Sequence, residues 1–370
     1  MRRRLFALLA ALIAVAGCAG ATHGGSRQDR PSTTATPSAT DPARSSGPPK
    51  VLGTIASGLS VPWGIAFLPD GSALVTERDT GRVLHLTGSG TAWRSTTVGI
   101  VPEHSTTGGE GGLLGIAVSP AYARNHRVFL YVSTTRDNRV VTARLVAGRL
   151  GATHPILTGI PTGVHHDGGR LAFGPDGYLY VSTGESGVPS LAQDKTSLGG
   201  KILRITESGS AAPGNPWHSP VWSYGHRNVQ GLVFDAAGRL WASEFGDREF
   251  DELNRIRKGR DYGWPDVQGR SSDPRFTNPA VEWPTEQASP SGLALAAGSF
   301  WLAALRGERL WRVPVHGASV GKPRAYFIGT YGRMRTVTRA PDGYLWVTTS
   351  NRDGRGDPAK SDDRILLVRP

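Results

Sequence analysis

The 370-residue chain holds a single cysteine and two methionines. One thiol cannot build a disulfide framework, so stability has to come from a packed core. No apolar run approaches the ~20 residues that a membrane-spanning helix requires. Lys and Arg outnumber Asp and Glu by 42 to 30, yet no clustered basic run marks a nucleic-acid surface, and no nucleic-acid partner is expected. What the chain has in excess is glycine, 49 residues beside 26 prolines and 10 tryptophans. Turn residues at that density argue against a helical bundle and for a folded all-β domain.

Arg2-Arg3-Arg4, the apolar stretch Leu5 to Val15 and the small residues before Cys18 have the layout of a secretory signal. The ending Val15-Ala16-Gly17-Cys18 resembles a bacterial lipobox. Residues 1–17 are therefore expected to be a lipoprotein signal peptide, with Cys18 the lipidated residue and an anchor to the membrane. This predicts an extracytoplasmic, lipid-anchored protein. Residues 18–50 continue in Ser, Thr, Pro, Ala and Gly, with no large apolar side chain to offset ordering entropy, and predict a flexible tether. Residues 51–370 form the predicted domain. It carries 35 basic and 28 acidic residues, a modest excess that suits either solubility beside an anionic surface or an acidic ligand.

One pattern repeats along that domain: two or three apolar residues, a Pro-Asp-Gly or equivalent turn, then an alternating strand. It reads GIAFLPDGSALVTE from Gly64, GIAVSPAYARNHRVFLYVST from Gly115, RLAFGPDGYLYVSTGE from Arg170, GLVFDAAGRLWASE from Gly231, GLALAAGSFWLAAL from Gly292 and VTRAPDGYLWVTTS from Val337. The turns at 69, 120, 175, 236, 297 and 341 are 51, 55, 61, 61 and 44 residues apart, the length of one four-stranded blade with its loops. Each copy is a hairpin that cannot bury both faces alone. A sandwich pair or an open solenoid would also use such hairpins, but six copies filling the domain predict a six-bladed β-propeller with four-stranded antiparallel blades. Val51 to Ile55 is expected to close the ring against the last strand, DDRILLV.

Chemistry is sought where the repeat is broken. GEGGLLG (109–115), HHDGGR (165–170), GHRNVQG (225–231) and GRMR (332–335) each stand just before or at the start of a first strand, so all should converge on one end of the channel. They offer two imidazoles, the carboxylates of Glu110 and Glu185, and the guanidiniums of Arg227, Arg333, Arg335 and Arg306. Arginine forks aimed into one pocket suit a ligand with several carboxylates or phosphates. His166, beside Gly168-Gly169, suits a general base on a tight loop, with Glu185 to orient it. His165 reads as structural or solvated.

These motifs, with AQDKTSLGGKILRI, DELNRIRKGRDYGWPDV and the last segment up to NRDG, resemble the soluble quinoprotein glucose/sorbosone dehydrogenase family, nearest to its aldose sugar dehydrogenases. The resemblance covers residues 51–370 in order. It implies a propeller that binds pyrroloquinoline quinone (PQQ) with calcium, oxidises aldose sugars at the anomeric carbon to lactones and hands electrons to an external acceptor. It makes His166 the base, Glu185 its support, Arg227 and Asn228 the contacts to the quinone oxygens, and Arg333, Arg335 and Arg306 the holders of cofactor carboxylates. Trp283 and Thr285 would border sugar and cofactor respectively. Gly246 and Asp247 would give backbone carbonyls to calcium, while Asp251 and Glu252 read as either structural or ligating. Glu110, a substrate contact by this alignment, replaces a common Gln, and Asn351 stands where some members have Asp. The long loops of glucose-specific members are not evident, so a broad aldose range is expected. A ligand-binding propeller without catalysis and a calcium-dependent lactonase are the competing classes.

Overall fold

The computed structural model describes residues 47–370; Cys18, the signal segment and nearly all of the tether lie outside the described residues. Six antiparallel sheets follow one another along the chain, four of them four-stranded and two extended by a short fifth strand. Their innermost strands are Pro62–Phe67, Leu113–Val118, Leu171–Phe173, Asn228–Phe234, Pro290–Ala296 and Met334–Arg339, numbered here as blades 1 to 6. Each begins one copy of the repeat, and the Pro-Asp-Gly turns join it to the second strand. The predicted propeller is what the chain forms. No helix among the described residues is long and apolar enough to cross a membrane.

The alternation within each strand sends one set of side chains toward each neighbouring blade. Trp63, Phe129, Tyr131, Leu179 and Val181 share one such seam, while Trp346 meets Phe67 and Trp93 edge-on at 4.9 and 4.7 Å in another. Trp63, Trp241, Trp301 and Trp346 are fully buried, each carrying a core contribution of about 3–5 kcal/mol by the usual cost of truncation.

Closure comes from the other end of the chain. Lys50–Ala56 pairs antiparallel with Ile365–Arg369, with Lys50 opposite Arg369 and Ala56 opposite Ile365, so the first strand of the domain is the outermost strand of blade 6. The Leu59 and Asp363 backbones exchange hydrogen bonds of 3.0 and 3.1 Å beside it. Deleting residues 51–56 removes buried Ile55 and bares a ladder edge. It is expected to lower Tm by roughly 10 °C or more; an unchanged calorimetric transition would show that the strand is not needed for closure.

Candidate active site

The connections that enter the innermost strands gather at one end of the propeller, together with the loops that leave the second strands. Between them lies a cavity of about 580 Å³. Its wall holds His166, Arg227, Asn228, Gly246, Asp247, Arg306, Arg333, Arg335 and Glu110, so most of the predicted site residues are brought together.

His166 adopts a left-handed backbone, φ 63°, and its carbonyl rests over Gly184 so closely that a Cβ there would collide with it. Glycine is required at 184 for the loop to seat on the second strand of blade 3. The His166 amide donates to Glu110 Oε2 (3.2 Å) and its Nδ1 lies 2.5 Å from Glu185 Oε1. Glu185 is buried and its second oxygen has no partner among the described residues. A proton on Nδ1 bonded to Glu185 leaves the lone pair on Nε2, the arrangement a general base needs. His165 is exposed and packs edge-on against His166, ring centroids 4.3 Å apart.

The next residue, Asp167, is buried under the same loop. Its Oδ1 accepts from Asn138 (2.9 Å), Thr162 and the Gly163 amide, while Oδ2 is unpartnered. Desolvation outweighs these bonds and pushes its pKa up to about 6. A raised carboxyl pKa contributes stability that is complete below about 4 and lost as pH rises through about 6. Asp167→Asn removes that loss. Relative to the parent, the variant should gain up to about 3 kcal/mol of stability between pH 4 and 7, read by urea denaturation across that range; a pH-independent difference would refute the assignment.

Arg227 reaches across the cavity wall to the Gly246 carbonyl (2.6 Å) and Asp247 Oδ1 (2.9 Å), and its Nε has no partner. Asn228 fixes the His166 loop by accepting from the Gly168 amide at 3.0 Å. Arg333 and Arg335 both bind Asp353, each at 3.0 Å. Burial pushes the Asp353 carboxyl up, but Arg335 and Arg333 outweigh it and hold its pKa below the ordinary value. Arg355 pairs with Glu110 at 2.6 Å. Burial of Glu110 is likewise overcome, by Arg355 first, and its pKa is lowered. Arg306 alone among the lining arginines has no hydrogen bond or ion pair within the described residues.

Two expected site residues are placed elsewhere. Trp283 is buried in the seam between blades 4 and 5, tilted against Trp311 at 5.6 Å, and Thr285 is buried in the turn that follows. Neither lines the cavity. The reason is strand order: Val281–Pro284 is the outermost strand of its blade, and an outermost strand does not reach the axis. Ser289 and Leu305 take that part of the wall. Asp251 is structural, its two oxygens accepting from the amides of Gly246 (2.8 Å) and Ser289 (2.5 Å), with burial pushing its pKa up to about 7. Glu252 is held by Asn254 and the Gly269 amide. Asn351 supports the Arg333 backbone and binds Asp362 rather than the cavity.

Sequence reasoning missed Arg78, Gln230, Asp353 and Arg355, all of which line the cavity. Arg78, Asp353 and Arg355 follow the second strand of their repeats, as Glu185 and Asp247 do. That shared position was the signal available for them.

The cavity wall carries six guanidiniums and three carboxylates, Glu110, Asp247 and Asp353. Arg78 pairs with Asp79 just outside the wall, and the remaining surplus of guanidiniums, with the unpaired Arg306 and the orphaned Arg227 Nε, fits a planar tricarboxylate such as PQQ. It fits a divalent cation less well. Gly246 O and Asp247 are both engaged by Arg227, and no group of three or more His, Cys, Asp or Glu able to hold a metal occurs among the described residues.

Comparison with known proteins agrees with this geometry. The profile of the family described as Glucose / Sorbosone dehydrogenase matches residues 59–367. An aldose sugar dehydrogenase of Escherichia coli is 30% identical over 334 residues, covering 80% of this chain and 89% of that protein. Quinoprotein glucose dehydrogenase B of Acinetobacter calcoaceticus is 31% identical, over 66% of this chain and 59% of its own length. The PQQ-bound structure of an aldose sugar dehydrogenase from Streptomyces coelicolor superposes with a TM-score of 0.84 at 51% identity, covering 87% of this chain and 98% of that one. With a six-bladed ring, a carboxylate-supported histidine and an arginine-lined cavity at one end, the chain belongs to the glucose/sorbosone dehydrogenase family.

Proposed function

We propose that the protein is a quinoprotein oxidoreductase that uses PQQ to oxidise aldose sugars at the anomeric carbon, giving lactones and passing electrons to an external acceptor. The observation that carries this reading is the His166–Glu185 pair facing a cavity whose six guanidiniums outnumber the carboxylates they pair with, Arg306 having none and Arg333 and Arg335 sharing one. Arg333, Arg335 and Arg306 would hold cofactor carboxylates, and Arg227 with Asn228 would meet the quinone oxygens. When bound, PQQ supplies the acceptor for the hydride that leaves the anomeric carbon. His166 Nε2 takes the hydroxyl proton, and Glu185 stabilises the imidazolium that results. Arg227, on the cavity wall, would lower the energy of negative charge developing there. Glu110, bonded to both Arg355 and the His166 amide, sets the side of the sugar pocket.

Calcium enters this reading only as a proposal: Gly246 O and Asp247 would hold it, and to do so they would have to give up Arg227. The lipid anchor at Cys18 and the extracytoplasmic location remain proposals from the leader pattern. A propeller that only binds ligands has no use for a carboxylate-oriented imidazole on the wall of an arginine-lined cavity, which disfavours that class. The test is reconstitution: apo protein with PQQ, with and without Ca²⁺, followed by dye reduction on adding a panel of aldoses and by the absorbance of bound quinone. Stoichiometric quinone bleached by sugar is the expected result. Folded protein that binds no PQQ would overturn the reading.

A further inference from the structure

Arg170 follows the His166 loop and starts the third repeat, but its side chain works outside blade 3. Its Nε donates to the Gln230 carbonyl of blade 4 at 2.8 Å, and a terminal nitrogen donates to the Thr336 hydroxyl of blade 6 at 3.1 Å. Its guanidinium carbon lies 4.2 Å from the centre of the Trp63 ring of blade 1. The Thr336 hydroxyl in turn donates to the Trp63 carbonyl. A side chain that reaches blades 1, 4 and 6 from blade 3 stands on the propeller axis.

Two further facts bear on Arg170. Like Arg306, it has no carboxylate partner among the described residues, although Arg78, Arg227, Arg333, Arg335 and Arg355 each have one. And it lies next to Arg335: it bonds the hydroxyl of Thr336, the residue that follows Arg335, and the carbonyl of Gln230, whose Oε1 accepts from Arg335 at 3.5 Å, while Arg335 is otherwise held by Ser350 and Asp353. Desolvation, with the charge of Arg335 second, brings the Arg170 pKa down to about 9, so the group still carries its proton at neutral pH. Like charges set side by side in a partly desolvated site disfavour the unliganded protein, and the tension is relieved when an anion arrives.

We propose that Arg170 is a concealed member of the anion site, an axial cation that strengthens binding of a polycarboxylate in the cavity without touching it. The inference rests on the proposed cofactor reading and deepens it, since that reading assigns no role in anion binding to a residue outside the cavity wall. Removing one positive charge at such a range weakens anion binding by roughly tenfold.

The experiment compares Arg170→Gln, which loses the charge and keeps a donor, with Arg170→Lys, which keeps the charge and loses the planar fork. Each is titrated as folded apo protein with PQQ, and with citrate as a redox-inactive tricarboxylate probe, by calorimetry. Affinity that follows charge is the expected result: Arg170→Gln weakens both ligands about tenfold, while Arg170→Lys stays within a few-fold of the parent. Arg170→Gln with unchanged affinity, or two variants equally weakened, would make Arg170 a staple between blades and overturn the proposal. Parent protein that binds citrate but not PQQ refutes the cofactor reading and leaves the role of Arg170 to be decided by the citrate series. Parent protein that binds neither refutes both.

Discussion

His166→Asn should retain PQQ and lose about 10²–10⁴-fold in turnover. Asparagine is the substitution of choice because residue 166 sits at φ 63°, a region that Asn tolerates better than Ala. Loop geometry is then preserved and the effect isolates the imidazole. The size follows from what a positioned base contributes to proton removal. Glu185→Gln is expected to fall between parent and His166→Asn. It keeps a neutral partner for Nδ1 but no longer offers a full negative charge to the imidazolium. Cofactor titration and steady-state dye reduction on the same preparations check both. Turnover near the parent value in His166→Asn would remove His166 from the chemistry.

Arg335→Met should weaken PQQ binding by about 100-fold, with a smaller change in turnover at saturating cofactor. A charge-assisted hydrogen bond contributes about 1.5–3 kcal/mol, and Arg335 is nearly buried. Burial, only partly offset by Asp353, lowers its pKa to about 10, so it stays charged throughout the working range. The structure adds a twist that the motif alone conceals. Arg333 and Arg335 share Asp353, whose carboxylate already occupies part of the donor set a ligand carboxylate would use. Asp353→Asn should therefore act in the opposite direction, tightening PQQ while destabilising the unliganded protein, because two guanidiniums lose their counter-ion. Fluorescence titration with PQQ and thermal melts of the apo forms separate the two effects. Unchanged affinity in Arg335→Met would take the residue out of the cofactor site.

The fold was legible because a propeller writes its architecture as spacing. Six hairpins of similar length leave few other ways to bury both faces of each sheet, and the closing strand at Lys50–Ala56 was visible as leftover β sequence before the first repeat. The site was legible where it interrupts the repeat, as at His166, Arg227 and Arg333. It was obscured where function depends on contacts between distant loops. Arg355 meets Glu110 across 245 residues, and nothing local in either segment announces the other. Trp283 shows the converse limit. The Trp283-Pro284-Thr285 segment resembles a pocket border in the family, but strand order places Trp283 on the outer edge of blade 4, where apolar burial claims it.

Closure by the first strand also dictates the order of events in folding. Lys50–Ala56 finds its partner at Ile365–Arg369, a contact separated by nearly the whole domain. Blades 1 to 5 draw on contiguous sequence and can assemble as their hairpins appear, whereas the sixth stays incomplete until the last residues exist. Loop-closure entropy makes such a pairing slow and late. Until it forms, two sheet edges stand open at once, and the same strand on a second chain is a ready substitute. The ring therefore passes through its most association-prone state just before it becomes complete.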